Sequence, residues 1–305
     1  MQNLLTDAIN YALPFAYEGK PAKYIPELSK MDPKHLGVAI VTMEGEVFCS
    51  GDSKVPFTMQ STSKVAALML AIMDRGEQFV FGKVGMEPTG DPFNSIIKLE
   101  TMKTAKPLNP MINAGAIAVD SLILGDSVED KLERLIGFVR KLCHNDKIGF
   151  NQDVYKSENA TGYRNRALAN FMKDADIIEG EVENVLELYF KQCAIEVNAM
   201  DLAMMGAVLA GDGISPVTGE LLIPKGVTRL VKTFMVTCGM YDASGEFAVR
   251  VGLPSKSGVG GGIVSAVPGK MGIGVFGPAL DSKGNSAGGI KVLEYISSKL
   301  DLSIF

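Results

Sequence analysis

The sequence is poor in the residues from which many catalytic and binding centres are built. Its 305 residues include only two histidines, His35 and His144, each in a polar or loop-like stretch. An imidazole base or a His-based metal site is therefore poorly supplied. The four cysteines, Cys49, Cys143, Cys193 and Cys238, are scattered, with no CxxC pair. Reduced, mostly buried thiols in a cytoplasmic protein are expected, rather than a disulfide framework. No apolar run approaches the roughly 20 residues that a bilayer span requires. The start, MQNLLTDAINYALPFAYEGK, carries acidic residues early and lacks the basic-then-apolar order of a secretory signal. Basic blocks are missing too, and the formal net charge is −5. That balance excludes an electrostatic footprint for nucleic acid or anionic lipid. At 47 % hydrophobic and 21 % charged, the composition is that of an ordinary soluble, enzyme-sized protein.

The chain contains no internal repeat and no low-complexity linker, and its length allows one large domain or a core with a second lobe. Residues 36–51, LGVAIVTMEGEVFCSG, have the pattern of two strands joined by a tight Glu44-Gly45 turn. EFAVRVGLP (246–254), GGIVSAVPG (261–269) and MGIGVFGP (271–278) are short β-branched runs punctuated by Gly and Pro. The closing NSAGGIKVLEYISSKL spaces Ile290, Leu293, Ile296 and Leu300 as a helical face. Between these ends, residues 61–211 are mainly helical. Ser127 with Asp130 forms a capping box opening one helix, and Asn198 with Asp201 suggests a second start. The expected architecture is α+β. An antiparallel sheet from both chain ends (1–60 and 212–305) carries helices on one face, and a helical lobe (61–211) is inserted within one catalytic domain.

FTMQSTSKVAALML (57–70) places Ser61 three residues before Lys64 at the mouth of an apolar helix. Val65, Leu68, Met69 and Ile72 follow the 3.6-residue period, and Gly76 is a plausible stop. A helix start offers free N–H groups to an oxyanion. Its positive end and burial both oppose protonation of a neighbouring amine, so a lysine there can become a base for a hydroxyl. A bare S-x-x-K is more often an N-cap followed by a solvated lysine. Ser95-Ile-Ile-Lys98 is an internal control: it has the same spacing, follows PFN and opens no comparable apolar helix. The first copy gains weight from Lys256-Ser257-Gly258, a Gly-rich entry to a late strand. The order S-x-x-K then K-[ST]-G is that of serine β-lactamases and penicillin-binding proteins.

Longer segments are more specific. KYIPEL (23–28), GDSKVPFTMQSTSK (51–64), VGMEPTGDPFNS (84–95) and KPLNPMINAGAI (106–117) resemble the signature blocks of the serine-dependent glutaminases. So do SENATGYRNRALA (157–169), ELYFKQCAIEV (187–197), CGMYDASGEFAVRVGLPSKSGVGGGI (238–263) and NSAGG (285–289). The resemblance implies a β-lactamase/DD-peptidase-like fold and hydrolysis of L-glutamine to L-glutamate and ammonia, without metal or organic cofactor. Matched position by position, Ser61 falls on the nucleophile and Lys64 on its base partner. Tyr241 falls on a phenol that steers the proton, and Val259 on the residue whose N–H completes the oxyanion hole. Tyr24, Asn113, Glu158, Asn165 and Tyr189, with Tyr241, fall on substrate-contacting positions. The family most often has a larger apolar residue where this chain has Thr62, which alters packing behind Ser61. Self-association as a homodimer or homotetramer is also implied. A penicillin-recognising hydrolase would work outside the cytoplasmic membrane, yet no export signal is seen. A non-catalytic binder would have no need of Ser61, Lys64 and Tyr241 together.

Overall fold

The computed structural model describes residues 1–101 and 106–305; the Lys98 side chain lies outside the described part. Helix α1 (Gln2–Ala16) leads to β1 (Gly37–Thr42), β2 (Val47–Gly51) and the short β3 (Phe57–Thr58). Then come α2 (Ser63–Arg75), α3 (Glu77–Lys83), α4 (Ile97–Thr101), α5 (Asn113–Leu122), α6 (Val128–Cys143), α7 (Gln152–Thr161), α8 (Tyr163–Asp174) and α9 (Val182–Cys193). The short β4 (Glu196–Val197) precedes α10 (Ala199–Ala210), α11 (Lys225–Cys238) and α12 (Ser244–Arg250). The chain closes with β5 (Ser255–Ser257), β6 (Gly262–Val267), β7 (Met271–Phe276) and α13 (Ala287–Leu300).

The main sheet has the order β2-β1-β7-β6-β5, antiparallel throughout, so strands from both ends of the chain meet at β1–β7, with Ile40 opposite Ile273. Helices cover both faces, not the single face expected. On one side Leu5, Ala8 and Ala12 of α1 and Val292, Leu293 and Ile296 of α13 pack against Val38, Ile40, Ile273 and Val275. On the other lies α10, whose sequence AMDLAMMGAVLA is apolar nearly all round because it is buried between the sheet and α6. Gly272 and Gly274 make that contact possible. A Cβ on either would come within 2.0 Å of the α10 backbone. The glycines in the MGIGVF run therefore mark a helix lying on the strand.

Two local readings shift. EFAVRVGLP forms no strand: its first half is α12, with Phe247 and Val251 buried one turn apart and Glu246 paired to Arg250 at 3.0 Å. In so short a window, apolar residues at 247, 249 and 251 fit either period, and the structure leaves Val249 89 % exposed. At α6, Ser127 caps Asp130 N–H at 3.1 Å, but the Asp130 carboxylate bonds to Asp126 N–H instead of Ser127 N–H. The Asn198–Asp201 box is complete in both directions. All four cysteines are free. Among the described residues no helix is long and apolar enough to cross a membrane.

Candidate active site

Ser61 sits in a single 3₁₀ turn, Gln60–Thr62, that runs directly into α2 at Ser63. The nucleophile candidate thus precedes the α-helix by one turn instead of opening it. Lys64 follows Ser61 by three residues in the first turn of α2, a spacing that puts two side chains on the same side of a helical segment. The turn is anchored at both ends. Met59 N–H donates to Ile195 O at 2.7 Å, Thr62 Oγ1 to Met59 O at 2.7 Å and Ser63 Oγ to Gln60 O at 2.6 Å. Thr62 is therefore accommodated by bonding its hydroxyl back to the chain, while its methyl faces Gly258. Every residue of α2 from Ser63 to Ile72 is buried, so this is a central helix with no solvated face.

Lys64 is 1 % exposed. Its Nζ donates to Asn113 Oδ1 at 2.8 Å and to Met111 O at 3.3 Å. Burial lowers its pKa to about 8, against an upward pull from Cys193, Asp120 and Glu158. An amine that water would keep charged is thereby brought to the edge of neutrality at physiological pH.

Gly258 brings the end of β5 against Ser61. A Cβ there would lie 2.6 Å from Met59 O and 3.3 Å from Ser61 N, so only glycine fits without a shift. Among the described residues neither Ser61 N–H nor Val259 N–H donates a hydrogen bond. Both residues are buried. Two undonated buried amides, one at Ser61 and one at the residue following Gly258, which abuts Ser61 N, are of the kind suited to a developing oxyanion.

Tyr241 lies in the 3₁₀ turn Tyr241–Ala243, and burial raises its phenol well above the usual range while contact with Ser61 pulls it back. That contact is too loose to count as a hydrogen bond, and among the described residues the hydroxyl has no other partner. Such looseness is common before substrate binds.

The remaining predicted residues divide into two groups. Asn113 Nδ2 donates to Asn165 Oδ1 at 3.1 Å, which links Lys64, Asn113 and Asn165 into one chain. Glu158, on α7, is buried with Oε2 unpartnered. Burial raises its pKa to about 8, opposed by the Gln60 amide and Lys64. Tyr189, on α9, is 2 % exposed, and burial raises its pKa. Tyr24 is 52 % exposed over the whole residue, yet its phenol end reaches inward: burial first, then the nearby Glu158 and Tyr241, raise its pKa well above the usual range. It lines a cavity of about 360 Å³ together with Ala22, Phe93, Val259, Leu280 and Gly284.

The sequence reading missed several neighbours. Phe93 lies between the two tyrosines, 6.5 Å from the Tyr24 ring and 4.8 Å from that of Tyr241. Gln60 is buried with φ at +47°, a strained backbone next to the serine that no sequence pattern announces. Lys256, with no exposed surface, places Nζ 4.4 Å from the centre of the Tyr241 ring. Its pKa is pushed well down by burial and then by Lys64. K-S-G was the signal for it, but the motif directed attention to the glycine. Of the control pair, Ser95 Oγ accepts Ile97 N–H at 3.4 Å beside α4, and the Lys98 side chain lies outside the described residues. Neither histidine enters the site: His35 pairs with Asp52 at 3.1 Å, and His144 caps α6.

The sequence profile of the glutaminase family matches residues 19–305. The chain belongs to the glutaminase family. It is 56 % identical over 305 residues, all of both chains, to a glutaminase of Clostridium botulinum (strain Kyoto / Type A2). It is similar in structure to the probable glutaminase ybaS, with a TM-score of 0.94 at 39 % identity over 100 % of this chain and 99 % of that one. A second neighbour is the Bacillus subtilis glutaminase YbgJ in covalent complex with 5-oxo-L-norleucine, formed by reaction with 6-diazo-5-oxo-L-norleucine. Its TM-score is 0.92 at 41 % identity, covering 100 % of this chain and 99 % of that one. The mixture of helices and antiparallel sheet is the β-lactamase-like fold that glutaminase structures share.

Proposed function

We propose that this glutaminase-family chain hydrolyses the side-chain amide of L-glutamine to L-glutamate and ammonia through an acyl-enzyme on Ser61. The observation that carries the mechanism is a buried Lys64 amine, with a pKa of about 8, one 3₁₀ turn from a serine flanked by two undonated amides. Neutral Lys64 takes the Ser61 hydroxyl proton as Oγ attacks the amide carbon. The Ser61 and Val259 N–H groups receive the oxyanion. As the tetrahedral adduct collapses, the C–N bond breaks and the nitrogen leaves as ammonia. It takes its proton from Lys64, relayed by the Tyr241 phenol, which stays protonated throughout the working pH range. Water then adds to the ester, its proton returns to Ser61 by the same route, and glutamate departs. Covalent capture of the diazoketone analogue by the Bacillus subtilis relative supports nucleophilic catalysis in this family.

Recognition rests on groups that are short of partners without substrate. Glu158 Oε2 has no hydrogen bond, and burial holds the carboxyl largely protonated below pH 8. A substrate α-ammonium restores the carboxylate through a charge-assisted bond. Asn113, Asn165, Tyr189 and Tyr24 meet the α-carboxylate and frame the chain. A simple amide would leave these buried polar atoms unpaired and so be rejected. In this reading the site lies where the sheet-bearing lobe (1–60 and 212–305) meets the helical lobe (61–211). The enzyme needs no metal or organic cofactor, acts in the cytoplasm and assembles as a homodimer or homotetramer. The test is glutamate release from glutamine, with asparagine and a simple amide as controls, by wild type and Ser61→Ala. Equal rates for all three amides, or an active Ser61→Ala, would overturn the proposal.

A further inference from the structure

Tyr241 has a backbone conformation that L-residues avoid, with φ at +57°. A bulky residue in that left-handed region is strained and persists only where its surroundings over-determine it. The surroundings here are specific. The consecutive carbonyls of Gly239, Met240 and Tyr241 each accept two hydrogen bonds, one from a backbone amide and one from a buried side chain. Gly239 O takes Ser257 N–H at 3.1 Å and Lys256 Nζ at 3.1 Å. Met240 O takes Ala243 N–H at 3.1 Å and Asn285 Nδ2 at 3.3 Å. Tyr241 O takes Ser244 N–H and, at 2.8 Å, Ser244 Oγ, which itself accepts Met240 N–H at 3.1 Å.

These three side chains come from β5, the start of α12 and the loop before α13, and all are buried. Asn285 is fixed in turn, donating its N–H to Asp281 Oδ1 at 2.9 Å while its carbonyl accepts Asp281 N–H at 2.8 Å. Both lone pairs of three successive carbonyls are thus in use. A turn whose only task is to reverse the chain has no need of that.

We infer that Lys256, Ser244 and Asn285 form a carbonyl clamp that holds Tyr241 in its left-handed conformation and so keeps its hydroxyl at Ser61. They are positioning residues, since none is required to touch the reacting atoms. The inference rests on the proposed role of Tyr241 in proton transfer. The Tyr241 hydroxyl has no hydrogen bond of its own to hold it. A phenol oxygen also lies at the far end of a rigid ring, so a small backbone rotation becomes a large displacement there. Misplacing a reacting group by about 1 Å can cost on the order of 100-fold in rate.

The experiment compares kcat and KM for glutamine in Asn285→Ala and Ser244→Ala, each made in wild type and in Tyr241→Phe, with Ser244→Thr as the conservative variant. Protein concentration is raised until the slowest variant gives a rate, and thermal melts confirm folding. Each alanine variant should lose about 10- to 100-fold in kcat with KM changed by less than about threefold. Ser244→Thr should recover most of the loss. Neither alanine should slow Tyr241→Phe further, because the hydroxyl that the clamp positions is already gone. Should Asn285→Ala not fold, Ser244→Ala removes a single oxygen and reads the same coupling. A loss of the same factor in both backgrounds, or alanine variants within about twofold of wild type, overturns the clamp alone. Wild-type turnover by Tyr241→Phe overturns the role of Tyr241, and the clamp with it.

Discussion

The acid limb of the pH–rate profile is where the proposed chemistry is most exposed to test. Lys64 has to be neutral to accept the Ser61 proton, and burial sets its pKa at about 8. At the ordinary value of 10.5, about one molecule in 3,000 would carry the neutral amine at pH 7; at 8, about one in ten does. The apolar setting of α2 thus raises the competent fraction some 300-fold, equivalent to about 3 kcal/mol. Glu158 also titrates near pH 8 in the empty site, so kcat/KM mixes the two groups. Once a substrate ammonium pairs with Glu158 that carboxylate stays ionised, and kcat under saturation reports Lys64. Turnover at saturating glutamine should rise about ninefold from pH 6 to 7, then by about tenfold in all between pH 7 and 9, levelling above 8. Glutamate measured chromatographically after quenching avoids the pH dependence of a coupling enzyme. A kcat constant within twofold over that range would remove Lys64 as the base.

Three further outcomes follow from the same geometry. Ser61→Ala should lower kcat by about 10⁴-fold or more while glutamine still binds, as calorimetry would show; near-normal turnover would end the nucleophile assignment. Gly258→Ala puts a methyl 2.6 Å from Met59 O and 3.3 Å from Ser61 N, forcing the strand end from the serine, so steady-state kcat should fall by about 10²–10³; a change below threefold would mean the two amides do not hold the oxyanion together. The Glu158 pKa rises from 4.5 to about 8 on folding, so the native state keeps a proton that the unfolded chain releases, and ligand-free stability falls as pH climbs through that interval. Glu158→Gln should then be more stable than wild type above pH 8 by up to about 4–5 kcal/mol, lose that advantage below about pH 4.5, and bind glutamine with a raised KM. Melting curves at the two extremes of pH that differ by the same amount would contradict a buried, reluctantly ionised carboxylate.

How much of this was legible in the sequence depends on how local each feature is. The β1–β2 hairpin, the closing helix and the caps at 127 and 198 are short-range patterns, and the described structure contains all of them in some form. The Ser61–Lys64 spacing is written in four residues, but it carried weight only through Lys256-Ser257-Gly258 and the longer blocks around it. What failed to show was determined at a distance. The helices on both faces of the sheet depend on α10 meeting Gly272 and Gly274; in the sequence those glycines looked like punctuation of a strand. EFAVRVGLP was ambiguous because nine residues cannot separate a period of 2 from one of 3.6 once Val249 is allowed to face solvent. Tyr241 could be matched to a family position, but its positive φ and the side chains that sustain it come from three separate segments. Lys256, Ser244 and Asn285 sit in quoted motifs without any pattern to say that they point at the same three carbonyls.

These long-range features also explain why the site is held so rigidly while being electrostatically unfavourable. A neutralised lysine and a protonated glutamate each represent a charge that burial suppresses, and Tyr241 and Gln60 both stand at positive φ. Each costs the empty enzyme stability, and the anchors around them offset that cost through buried hydrogen bonds to Met59, Gln60, Gly239, Met240 and Tyr241 carbonyls. In the proposed reading, glutamine relieves part of that cost by supplying an ammonium to Glu158. An uncharged amide brings no such relief and leaves the carboxylate unpaired. On that reading, the proposed selectivity of the pocket and the cost of its empty form have one physical source, which is the exclusion of water from groups that would otherwise be solvated.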